Sequence, residues 1–74
     1  MKNTQTPSVG RIAHYQSYGS PGGEHKSEPR AAIITAVKDN DTVSLCVLNP
    51  TGMYFNQDVS YGDGPGQWSW PPRV

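Results

Sequence analysis

The side chains able to do chemistry in this 74-residue chain are rings and forks rather than acids and bases. Seven aromatic residues, Tyr15, Tyr18, Tyr54, Phe55, Tyr61, Trp68 and Trp70, lie close to stretches rich in Gly and Pro. Arg11, Arg30 and Arg73 carry planar guanidinium forks suited to phosphate. Asn49, Thr51, Asn56 and Gln67 can read polar edges, and the Gly22-Gly23 and Asn49–Gly52 turns expose backbone N–H groups that can cradle an anion. A ring that stacks on a base contributes roughly 1–3 kcal/mol. The expected ligand is therefore small, planar and anionic, a compact nucleotide. Arg11 and Arg30 would pair with phosphate, and Trp68 with either Tyr15 or Tyr54 would stack. Asn49, Thr51 and Asn56 would supply polar contacts. Trp70, just before Pro71-Pro72, reads as the lid of the core and Trp68 as the platform, so that Trp68→Ala should remove binding and spare the fold. Against this, two Trp on one face of a terminal strand more often close a small core, and the Pro-Thr-Gly turn is more often only a turn.

Catalysis is poorly supplied. A reaction needs a base, a nucleophile or a metal held in a cleft. The imidazoles are His14 and His25. His14 alternates with Ile12 and reads as a structural histidine; His25 falls in a polar loop. Cys46 lies in the most apolar segment, where a thiol behaves as a small hydrophobe. Asp39, Asp41, Asp58 and Asp63 fall in or beside turns, where acids hydrogen-bond locally. No enzyme activity, metal or cofactor is expected.

Composition sets the frame. Six basic and six acidic residues give a formal charge of zero. A polyanion partner needs a basic surplus, so duplex nucleic acid and anionic membranes are disfavoured. Single-stranded nucleic acid is the weakest of the binding readings for the same reason. The segment MKNTQTPSVGR has no apolar core and does not read as a signal peptide. One cysteine rules out an internal disulfide framework and fits a reducing compartment. A single small core rarely supplies more than ~3–5 kcal/mol, so a chain without staples is expected to self-associate or to close into an aromatic-rich barrel.

The elements that must position these residues are short strands. Residues 1–8 read as a disordered N-terminal tail and residues 9–74 as one domain. VGRIAHYQSY (9–18) is a strand, with Gly10 marking a bulge or a close backbone approach. Gly19–Pro29 is a long loop, functional or mobile. RAAIITAVK (30–38) and TVSLCVL (42–48), joined by the tight turn Asp39–Asp41, form a central hairpin covered on both faces. A helix over RAAIITAV competes, though two Ile, a Thr and a Val weaken it. Asn49-Pro50-Thr51-Gly52 is a turn in which Pro presets φ. MYFNQDV (53–59) returns as a fourth strand, and QWSWP (67–71) is a short edge strand ended by proline. The fold class is all-β, a five-stranded SH3-like partly open barrel. An OB-like barrel and a flat sheet paired between subunits are the alternatives.

Four segments, GRIAHYQSYGSPGGE, RAAIITAV, VSLCVLNPTGMYFNQ and PGQWSWPPRV, carry a resemblance. With its WxWPxxV ending, the chain resembles a family of small uncharacterised proteins from tailed phages and prophages. It departs from that pattern at Ser69, where relatives often place an aromatic or His between the tryptophans, which puts any role for that position in doubt. The resemblance implies a phage accessory product acting in the cytoplasm of the infected bacterial host. The family brings no function of its own; taken with the aromatic and arginine set and the missing catalytic groups, the expected role is sequestration of a nucleotide immune signal, of the cyclic dinucleotide or cyclic ADP-ribose class. The alternative is a module that binds and inhibits a host protein. The long loop could close over a site in either case, and a homo-oligomer is expected.

Overall fold

The computed structural model describes residues 3–19, 22 and 26–72. His25, Gly23, Arg73 and Val74 lie outside them, and with them the readings that invoked an inert His25, the Gly22-Gly23 cradle, an Arg73 fork and the last residue of the motif. Five strands follow one another: β1 Ile12–Gln16, β2 Pro29–Val37, β3 Thr42–Asn49, β4 Gly52–Ser60 and β5 Trp68–Ser69. They form one antiparallel sheet in the order β4-β3-β2-β1-β5. The sheet curls until Tyr61, just beyond β4, bridges Trp68 of β5 in parallel, and Gly62 N–H donates to the Trp68 carbonyl at 2.9 Å. The result is an all-β, SH3-like, partly open barrel. RAAIITAV is strand, not helix: Ala32 and Ile34 are buried and alternate with the less buried Ala31, Ile33 and Thr35, and its β-branched residues favour that conformation. Among the described residues no helix is long and apolar enough to cross a membrane.

The concave side holds the core: Ala13 and Tyr15 of β1, Ala32 and Ile34 of β2, Val43, Leu45 and Val47 of β3, Val59 of β4 and Trp68 of β5. Alternation at period two places each of these on the same face. Ala13 and Ala32 are register partners. Their small side chains leave room for Tyr15 and Tyr54 to meet edge to face, ring centroids 6.5 Å apart.

Two bulges produce the curl. On one flank of Ser44 the register with β2 slips between Ile34 and Ala36. On its other flank the register with β4 slips, so that Gln57 and Asp58 oppose Ser44 alone. Extra residues on both sides of one position bend and twist the sheet there. Asp58 takes φ 53° at this point, so it is a bulge residue rather than a turn acid. A third bulge opens β1. Gly10, at φ 94°, donates to the Ile34 carbonyl at 2.8 Å, and the Ile34 N–H returns to the Arg11 carbonyl at 2.9 Å. This is the close backbone approach expected of Gly10.

Two expectations are corrected. Residues 3–8 are not a disordered tail. Asn3 is 3% exposed and Pro7 is buried. The Asn3 side chain donates to the Asn40 carbonyl at 2.7 Å, and the Asn40 side chain donates back to the Asn3 carbonyl at 3.1 Å. The N-terminal segment is thereby strapped to the β2–β3 turn. Residues 1 and 2 lie outside the described residues. Nor is the central hairpin covered on both faces: Leu48 is 36% exposed on the convex side, where no layer of the described residues packs over it.

Candidate functional site

The convergent polar and aromatic groups gather at one end of the concave face. Tyr15 and Arg30 are register partners on β1 and β2. Tyr54 sits opposite Val47 and Asn56 opposite Leu45, both turned inward. Asn49, the last residue of β3, shares that inward face by alternation. Five of the eight expected site residues, Tyr15, Arg30, Asn49, Tyr54 and Asn56, thus line one mouth. Thr51 is exposed in the adjoining β3–β4 turn.

Arg30 is the charged group of this mouth. Its side chain is 29% exposed and reaches Glu28 at 3.6 Å through one terminal nitrogen. Its Nε is buried and meets no hydrogen-bond partner among the described residues. An N–H taken from water without a partner costs about 1–3 kcal/mol, so the guanidinium is held short of satisfaction. Tyr15 beside it is 6% exposed. Burial, with smaller contributions from Tyr54 and Tyr18, raises its phenol above the ordinary value, while the Asn56 side chain opposes the rise. Tyr15 therefore stays a neutral hydroxyl. Tyr54 and Asn56 are half-buried.

The other expected residues are elsewhere, and their roles are corrected. Trp68 is fully buried, with no face free to stack on a ligand. Its indole N–H donates to the Asp41 carbonyl at 3.0 Å, and its ring lies between Tyr61 and Trp70, 5.0 Å from each. The roles drawn for the two tryptophans are reversed: Trp68 is core and Trp70 is half-buried at its rim. Strand alternation put both on one face correctly, but depth depends on closure against Tyr61 and Asp41, which period two does not encode. Tyr15 is likewise too buried to stack. Arg11 is at the far end of β1, four residues or about 13 Å of strand from Tyr15. There its guanidinium lies 4.1 Å from the centroid of the Trp70 ring, and it donates to the Thr6 carbonyl at 3.4 Å. Arg11 and Arg30 do not converge on one phosphate.

Sequence reasoning missed Asn3. Its Oδ1 accepts from Trp70 Nε1 at 2.9 Å and from Gln5 N–H at 3.0 Å. No pattern in a polar segment announces such a residue. Tyr18, 69% exposed, lies against Gly66, whose φ of 78° and lack of a side chain admit the phenol. Cys46 is buried with Met53 Sδ 3.7 Å away, a hydrophobic setting for a thiol. Among the described residues, no cluster of three His, Cys, Asp or Glu is gathered as a metal site and no pocket, open or closed, is present. The mouth is a shallow, open surface. Comparison with protein-family models, curated proteins and solved structures returned no match.

Proposed function

We propose that this chain is a small non-catalytic binding protein whose concave mouth takes a compact anion of nucleotide type. The observation that carries this reading is Arg30, a partly exposed guanidinium that shares the inward face with half-buried Tyr54 and Asn56. The terminal nitrogens of the Arg30 fork, on a side chain 29% exposed, can donate to a phosphate, and half-buried Tyr54 offers ring surface for a base. Stacking falls to Tyr54 alone, since Trp68 and Tyr15 belong to the core. The zero net charge favours one small anion over a polymer. Combined with the resemblance to phage proteins, the role is sequestration of a host nucleotide immune signal, as an anti-defence function in the bacterial cytoplasm.

Calorimetry against a panel of cyclic dinucleotides and cyclic ADP-ribose products tests this. One member should release heat with the native chain and none with Arg30→Gln, while circular dichroism of the variant stays unchanged. Absence of heat across the panel at high protein concentration would overturn it.

A second reading has its own support. Strand β4 is an edge of the sheet, and Met53 and Phe55 on it are 66% and 70% exposed. A host protein could add a strand to that edge. Capture of one stoichiometric host protein, lost on placing proline within β4, would favour it over the nucleotide reading.

A further inference from the structure

The convex side of the sheet carries an apolar surface that the mouth does not use. Two rows of register partners cross four strands. One runs Ile12, Ile33, Cys46, Phe55 and the next His14, Ala31, Leu48, Met53. Neither row contains Asp, Glu, Lys or Arg. Its large members stand clear of the chain: Ile12 is 54% exposed, Leu48 36%, Met53 66% and Phe55 70%. Strand β4 shows the inversion most plainly, since it turns Tyr54 and Asn56 inward and Met53 and Phe55 outward. A contiguous apolar patch of a few hundred Å2 marks an interaction surface.

We propose that this face is covered by a second copy of the chain, packed sheet against sheet in a two-fold dimer. Three observations select that occupant. First, the chain has no net charge and the two rows carry no Asp, Glu, Lys or Arg, so two copies meet there without like-charge repulsion from these types and without needing an oppositely charged partner. Second, the area suffices. Large side chains of this size class, exposed by between 36% and 70%, offer on the order of 500 Å2 a side with their half-buried neighbours, or about 1,000 Å2 for the pair, the lower bound of specific interfaces. Third, the row is symmetric about its middle: its most exposed residues, Ile12 on β1 and Phe55 on β4, lie on either side of Ile33 and Cys46 on β2 and β3. A two-fold axis along the strands sets β4 of each copy over β1 of the other, and so Phe55 over Ile12. The pair then has a second apolar layer behind β2 and β3, which one copy lacks. Both mouths face outward and stay open, so this inference stands whether or not they bind a nucleotide.

Sedimentation of the native chain from about 1 to about 100 μM tests this, because a dimer with a low-micromolar constant crosses from one mass to the other in that range. The expected result is twice the 8.1 kDa chain mass at the upper end. Met53→Asp/Phe55→Asp should weaken pairing by about 100-fold or more and leave far-UV circular dichroism unchanged, because both residues are exposed. Val9→Asp, which removes a 67% exposed apolar side chain outside the two rows, should leave pairing intact. A native chain that sediments as one copy throughout overturns the proposal. So does a double variant that still pairs, which would move the contact to the β4 edge, or a dimer that Val9→Asp disrupts equally.

Discussion

Trp68 Nε1 donates to the Asp41 carbonyl at 3.0 Å across the inside of the barrel. The same carbonyl accepts the Tyr61 N–H at 2.8 Å. One oxygen of the β2–β3 turn therefore ties the last strand to the end of the fourth, and the ring of Trp68 fills the space between. Trp68→Ala removes a fully buried indole and should cost about 3–5 kcal/mol, comparable to the whole stability of a domain this small. The chain should unfold or melt far below the native one in a thermal scan. Trp68→Phe keeps most of the apolar volume but leaves the Asp41 carbonyl one donor short, and should cost less. A folded Trp68→Ala protein of near-native stability would mean that Tyr61 and Trp70 can close the barrel without it.

Asn3 is held by side-chain bonds to Asn40, Trp70 and Gln5. Asn3→Ala leaves Trp70 Nε1 and the Asn40 carbonyl without these partners in a partly buried site, and should cost about 1–3 kcal/mol. Urea denaturation checks this: the midpoint should fall while the slope stays constant. Asn3→Asp keeps the acceptor for Trp70 but loses the donor to Asn40, and should lie between the two.

The strands were legible in the sequence because each depends on local pattern. Ile12, His14 and Gln16 alternate with Ala13 and Tyr15, and Asp39–Asp41 and Asn49–Gly52 carry turn chemistry that fixes where the chain reverses. What could not be read depends on contacts distant along the chain. Asn3 meets Asn40 and Trp70 from a stretch with no hydrophobic period, and the depth of Trp68 is set by Asp41 and Tyr61. The mouth was legible in part: Tyr15, Arg30, Asn49, Tyr54 and Asn56 were named for their chemistry and do share a face. Arg11 was misplaced because residue type says nothing about which end of a strand a ligand would occupy. The convex face was written in β4, where MYFN alternates apolar-out, the reverse of the usual phase.

The Asp39 carboxylate accepts the backbone N–H of Asp41 at 2.9 Å and of Thr42 at 2.8 Å. These bonds favour the charged form, the Asp41 amide most, and hold its pKa below the ordinary value. A depressed carboxylate contributes stability that is fully present above its ordinary pKa and fades as pH falls through the folded value. The turn should therefore hold through neutral and weakly acid pH and loosen only in strong acid. The amide proton shifts of Asp41 and Thr42 should titrate together with a midpoint below that of an unstructured Asp. Asp39→Asn should remove that titration and leave both amides bonded. A midpoint at or above the ordinary value would show that the turn is not held by the charge.

Asp58 occupies the left-handed region, φ 53°, where the β4 bulge opposes Ser44. That conformation costs a residue with a Cβ roughly 1–2 kcal/mol, somewhat less for Asp, whose short polar side chain tolerates it. Asp58→Gly removes the strain but adds freedom to the unfolded chain, and the two effects should leave stability within about 0.5 kcal/mol of native. Asp58→Val puts a β-branched side chain where it is a steric outlier, and should cost about 1–2 kcal/mol in chemical denaturation. The consequence reaches beyond stability, because this bulge and its counterpart on β2 bend the sheet at one level and so set the curvature of the mouth. In Asp58→Val the amide resonances of Ser44, Asn56 and Tyr54 should shift together, whereas those of Gly10 and Arg11, at the β1 bulge, should not. If Asp58→Val is neutral, the extra residue can move along β4, and the curl at Ser44 rests on the β2 bulge alone.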